Sequence, residues 1–72
     1  MKKKPLTADI VKKKRKELKL TQEELAMRVG VGLRFLRDVE QGKESVRLDK
    51  LNLVLRYMGL EVSAVKMRRD DE

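Results

Sequence analysis

The chain contains no cysteine, no histidine and no tryptophan, and its 72 residues include one proline, one phenylalanine and one tyrosine. Without cysteine there is no disulfide framework. Without cysteine and histidine there is no His/Cys zinc site, no Cys or His nucleophilic dyad and no imidazole acid–base chemistry. A Gly-rich phosphate loop is missing too. The acidic pairs that remain have plain explanations, Glu23–Glu24 as part of a helix start and Asp70–Asp71 as part of a solvated tail. Nothing poises a catalytic group, so no enzyme, metal or cofactor chemistry is expected. No apolar run approaches the roughly 20 residues of a membrane span, and Met1–Lys4 leads into no apolar signal core. A cytoplasmic protein is the expectation.

Charge is what the chain has in quantity: 43% of residues are charged and the formal net charge is +7. The excess is unevenly placed. Residues 1–20 carry nine Lys/Arg against Asp9 and Glu17, whereas residues 21–59 carry seven against six and residues 60–72 three against four. A basic segment of this kind either solubilises a helix or meets phosphates, with an affinity that falls as salt rises. Apolar residues make up 40%, enough for one small core in a chain of this length. So small a core gains from pairing, and oligomerisation is expected.

Periodicity and punctuation divide the chain into short helices. Residues 1–8 read as a flexible basic arm, with Thr7 or Asp9 as N-cap of a first helix whose apolar face is Ile10, Val11 and Leu18. Thr21-Gln22-Glu23-Glu24 is a capping box, in which Thr21 accepts from the backbone of Glu24 and the Glu24 carboxylate reaches back. Leu25, Ala26 and Val29 then face inward, and Gly30 supplies a left-handed C-cap. Gly32 is a tolerable N-cap for a third helix from Leu33 to Gln41, closed by Gly42. Leu48, Leu51, Leu55 and Met58 mark the inner face of a fourth helix stopped by Gly59, while Leu53, Val54 and Tyr57 widen that stripe beyond one small core. Residues 60–67 alternate Leu60, Val62 and Ala64 against Glu61 and Ser63 and read as a strand. One strand cannot satisfy its own backbone groups, and a ribbon shared by two chains would satisfy both. Residues 68–72 read as a mobile tail.

Between the second and third helices several positions answer one geometric demand together. Ala26 is small where helix three crosses, Gly30 takes the turn position that favours positive φ, and Leu25, Val29, Val31, Leu36 and Val39 fill the angle. Residues 9–59 are therefore expected to form a helix-turn-helix domain.

The string LTQEELAMRVGVGLRFLRDVEQGK resembles the XRE/Cro-type helix-turn-helix of phage repressors and Cro proteins, over a span from about Ile10 to Gly59. The longer VGLRFLRDVEQGKESVRLDKLNLVLRYMGLEV is similar to the small HipB-like antitoxins. The resemblance implies a mainly α fold, a lambda-repressor-like bundle of four to five short helices with a C-terminal strand pairing across a dimer. It further implies a sequence-specific repressor of its own operon, acting on a palindromic operator in double-stranded DNA, with a HipA-like kinase toxin as partner. A stand-alone phage-type regulator is the alternative, and a purely protein-binding helical module a more distant one.

Residue roles follow from the same resemblance. Leu33, Arg34, Arg37 and Asp38 occupy the family's base-reading positions, and arginine is chemically suited to the O6/N7 edge of guanine. Gln22, at the start of helix two, matches a phosphate contact. Gln41, Lys43, Ser45 and Arg47 match contacts to the DNA backbone. Glu40 matches a glutamate paired with a basic residue of helix one, here Arg15, which makes that pair structural. Leu53, Val54, Tyr57, Leu60, Val62 and Ala64 are the expected dimer surface. Asp38, four residues beyond Arg34, is placed either to aim that guanidinium or to accept from cytosine N4. Two departures stand out: Lys19 replaces the usual glycine between helices one and two, and Gly32 replaces a Ser/Thr cap.

Overall fold

The computed structural model describes residues 6–61, which form four helices: α1 Leu6–Glu17, α2 Gln22–Val29, α3 Leu33–Glu40 and α4 Leu48–Tyr57. There is no strand among the described residues. Leu60 and Glu61 are irregular, and the rest of the expected strand, including Val62 and Ala64, lies outside the described residues.

Helix α1 starts earlier than its apolar spacing implies. Residues 6–8 are already helical, so Thr7 and Asp9 sit inside the first turn instead of capping it. The reason is Ala8, which is buried and pairs with Val11 on the inner face. The third inward position, Arg15, is charged, and an arginine conceals the stripe from an apolar count. Ile10 and Leu18, expected inside, are 37% and 47% exposed. Asp9 in the first turn and Lys14, Arg15 and Lys16 in the last complement the helix dipole.

The core gathers Val11 of α1, Leu25 and Ala26 of α2, Leu36 and Val39 of α3, and Val54, Leu55 and Met58 of α4. Half-buried Leu20, Val29, Val31, Phe35, Val46, Leu51 and Leu60 close around it. Packing runs through α3, which lies against both α1 and α2, while α4 lies against α2. Two expectations for α4 are corrected. Val54 is completely buried, because it shares the stripe of Leu51, Leu55 and Met58, and so it belongs to this chain's own core instead of to a surface. Leu48 is 60% exposed, since a side chain at the first helical position leans back past the edge of the bundle.

The ends of the helices follow one plan. After α1, Leu20 N–H donates to the Arg15 carbonyl and Lys19 N–H to that of Lys16. After α3, Lys43 N–H donates to Asp38 and Gly42 N–H to Val39, and after α4 the donors are Leu60 to Leu55 and Gly59 to Arg56. This is the double closure of a Schellman motif, which places one residue in the left-handed region. After α2 the variant is Gly30 and Val31, both donating to Ala26. Glycine takes the left-handed position three times, and Lys19, with φ 59, takes it after α1. That lysine costs about 1 kcal/mol of backbone strain.

Candidate nucleic-acid interface

Helix α2, the three-residue turn Gly30-Val31-Gly32 and helix α3 form the helix-turn-helix. The capping box is formed: Glu24 N–H donates to Thr21 Oγ1 at 3.0 Å, and Thr21 N–H donates to Glu24 Oε1 at 2.8 Å. The Thr21 backbone N–H, and after it the Thr21 side chain, hold the Glu24 carboxyl below the usual carboxylate range. Gly30, with φ 88, ends α2 where a side chain would be strained, and Gly32 starts α3 with no side-chain cap.

Helix α3 has two distinct faces. Leu36, Val39 and Glu40 are buried. The opposite face carries Leu33, Arg34, Arg37 and Asp38, and these four, with Gln41, line one shallow open depression of about 420 Å³. The four residues expected to read bases are thus brought together on a single surface. Arg34 and Arg37 are exposed, and neither side chain makes an ion pair or hydrogen bond to the described residues. Both guanidinium groups keep all their donors for an external acceptor, and each can span two acceptors at once.

Asp38 does not aim Arg34. Its half-buried carboxylate lies 3.7 Å from the exposed Lys43 Nζ, a pair that closes the end of α3. Spacing on one helix suggested Arg34, but the chain reverses after Gly42 and returns Lys43 to the residue five positions back. Arg47 is likewise occupied. Its guanidinium grips Asp49 in a bidentate pair, Nε to Oδ1 at 3.1 Å and Nη2 to Oδ2 at 2.7 Å, and holds that carboxyl below its ordinary range. Sequence reasoning missed Asp49 as this partner. The signal available was an acid two residues after the arginine, in the first turn of α4. Ser45 and Gln41 are exposed.

The buried charge is fully compensated. Arg15 donates from Nε to Glu40 Oε2 at 2.8 Å, from Nη2 to Glu40 Oε1 at 3.0 Å and from Nη1 to the Leu20 carbonyl at 2.9 Å. The hydrogen bonds to Glu40 push the Arg15 guanidinium above its ordinary value. Gln22 joins the same group, its Nε2 donating to Glu40 Oε1 at 3.1 Å. The glutamine expected to meet a phosphate is therefore tied at one donor to the last residue of α3. Among the described residues no buried side-chain nitrogen or oxygen lacks a partner.

Of the expected dimer surface, Leu53 and Tyr57 are exposed, 49% and 41%, one turn apart on α4. Tyr57 accepts from Arg28 Nη1 of α2 at 3.4 Å. Leu60 is half-buried against the core. No helix among the described residues is long and apolar enough to cross a membrane.

A family model described as "Helix-turn-helix" matches residues 11–65, which covers every helix described above except the start of α1. The chain belongs to the XRE-type helix-turn-helix family. This is a family of DNA-binding regulators, not of enzymes. An uncharacterized helix-turn-helix-type transcriptional regulator, y4mF, of Sinorhizobium fredii is 46% identical over 48 residues, 67% of this chain and 63% of that protein. A second, from Methanothermobacter thermautotrophicus, is 42% identical over 52 residues, 72% of this chain and 75% of the relative. The aligned part of this helix-turn-helix chain thus spans somewhat under two thirds of the bacterial relative's length.

Proposed function

We propose that the protein is a sequence-specific DNA-binding transcriptional repressor that works as a cytoplasmic homodimer and autoregulates its own operon as the antitoxin of a HipA-like kinase toxin. The observation that carries DNA reading is the outer face of α3. Leu33, Arg34, Arg37 and Asp38 share one open surface on a helix whose other face is locked into the core. Arg34 and Arg37 grip guanine edges, Leu33 meets a thymine methyl, and Asp38 accepts from cytosine N4. Gln22, Gln41, Lys43, Ser45 and Arg47 meet the phosphate backbone and set register. Arg47 does so by exchanging Asp49 for a phosphate, and an exposed ion pair of this kind is cheap to give up.

The dimer reading is supported by the exposed Leu53 and Tyr57 and by the alternation of residues 60–67, read as the shared strand. Two copies would present two α3 helices to a palindrome about one helical turn apart. The antitoxin role is supported by the similarity of residues 31–62 to the HipB-like proteins.

Footprinting on the promoter of the protein's own gene tests the proposal. The expected result is protection of a palindrome that is lost in Arg34→Ala plus Arg37→Ala while the fold is kept. Uniform, salt-sensitive binding to any duplex would remove sequence specificity. Co-purification with a kinase-like neighbour supports the antitoxin role, and the absence of such a gene beside it overturns that role in favour of a stand-alone regulator.

A further inference from the structure

The Gln22–Glu40 hydrogen bond joins the first residue of α2 to the last residue of α3. These are the ends of the two elements that the proposed function brings to DNA, one to a phosphate and the other to base edges. Glu40 is 5% exposed, and its oxygens accept from Arg15 and Gln22 together. Arg15 by itself satisfies both oxygens, since its fork spans Oε1 and Oε2. The Gln22 bond adds a third donor to a carboxylate whose two oxygens each already accept from Arg15, so it helps to offset the burial of Glu40 without being the main partner. Its consequence falls on Gln22. A primary amide has two N–H donors and one oxygen; with one N–H held by Glu40, the range of amide orientations narrows and the second N–H is left for an external acceptor.

We infer that Glu40 is a positioning residue for DNA, holding the Gln22 amide so that its free N–H is presented to a phosphate in register with the outer face of α3. The inference rests on the DNA-binding reading above and specifies how its phosphate and base contacts are coupled. Phosphate anchoring by Gln22 and base reading by α3 then depend on each other through one carboxylate. A side chain at 22 with no amide hydrogen would break the coupling. A carboxylate there would oppose Glu40, and so Gln22→Glu breaks it while preserving size.

The test has a DNA-free arm and a DNA arm. In the DNA-free arm, side-chain amide resonances of Gln22 and of the exposed Gln41 are compared in the full chain by ¹H–¹⁵N NMR. The tether predicts slow proton exchange and separated proton shifts for Gln22 alone, and both features should vanish in Glu40→Met, which has no acceptor, or, if that variant is poorly folded, in the Arg15→Met plus Glu40→Met double variant. Gln22 resonances matching those of Gln41 in the unaltered chain overturn the tether. In the DNA arm, Gln22→Ala is measured on the palindromic duplex found by footprinting, in the original background and in whichever of those two variants folds, at a temperature where both are folded. Loss of a hydrogen bond to a charged acceptor predicts about tenfold weaker binding in the original background, and the inference expects most of that loss to disappear in the background without the Glu40 carboxylate. Equal losses in both backgrounds overturn it, because a purely structural Glu40 leaves the Gln22 contact untouched. A chain that protects no DNA at all while Gln22 remains tethered overturns the DNA reading and the positioning role with it, and that pattern is distinct from failure of the tether.

Discussion

The two faces of α3 are built from the same eight residues and answer to different demands. On the inner face, Leu36 and Val39 fill the core and Glu40 is bonded to Arg15 and Gln22, so every position is fixed by contacts inside the chain. On the outer face, Arg34 and Arg37 touch no described partner and Leu33 and Asp38 line an open hollow. Such a division lets the outer residues be selected for what they recognise while the inner ones hold the helix in one orientation. A helix this short has little stability of its own, so its order is supplied by the inner face.

Substitution on each face should separate stability from binding. Leu36→Ala removes a fully buried side chain at the centre of the core. It should cost about 3 kcal/mol, a large share of what so small a domain holds, visible as a fall in the urea midpoint. Arg34→Ala should leave that midpoint within about 0.5 kcal/mol while weakening operator binding by about 1–3 kcal/mol and relaxing preference at one base pair. If Arg34→Ala unfolded the chain, or Leu36→Ala changed only DNA preference, the comparison would be wrong.

A smaller effect should appear at the turns. Gly30→Ala meets no atom within 4 Å, so its penalty is backbone strain alone at φ 88. A loss of about 1 kcal/mol is expected in thermal unfolding. Lys19→Gly reverses the experiment at the other turn, where φ is 59, and should gain up to about 1 kcal/mol. Only the first turn leads directly into α3, so the Gly30 variant should also weaken operator binding and the Lys19 variant should not.

The smallest change sharpens the border between the faces. Lys43 stands where the other helix ends place Leu20, Val31 or Leu60 against the core. Lys43→Leu should alter stability by a few tenths of a kcal/mol at most, yet lower operator affinity and reduce the slope of log affinity against log salt by about 1. Titrating the duplex at several salt concentrations measures both.

Much of this arrangement is legible in the residues. The capping box, the left-handed Gly30 and the unusual Lys19 are local, and a stretch of four or five residues specifies each. The Arg15–Glu40 pair spans 25 residues and was reached through family resemblance, since helical spacing alone does not join two helices. What spacing could not decide was which of two overlapping stripes turns inward. On α1 the inner stripe passes through Ala8 and Arg15, so counting large apolar residues selects Ile10 and Leu18 instead. On α4 the same ambiguity puts Leu48 inside and Val54 outside, the reverse of what the packing requires. The partners of Asp38, Arg47 and Gln22 escaped for a different reason: each is set by a chain reversal or a neighbouring helix end that charge patterning along one helix does not include.

The Schellman closure of α3 has one further consequence. The other three helix ends drop an apolar side chain onto the core, an attachment that ordinary salt hardly affects. Helix α3 ends on the exposed Lys43 and the half-buried Asp38, a charge pair 3.7 Å apart at the surface, and such a pair is screened as ionic strength rises. The end of α3 is therefore the ion-sensitive corner of the fold: the salt that would loosen its proposed contacts with a polyanion also loosens its own fastening.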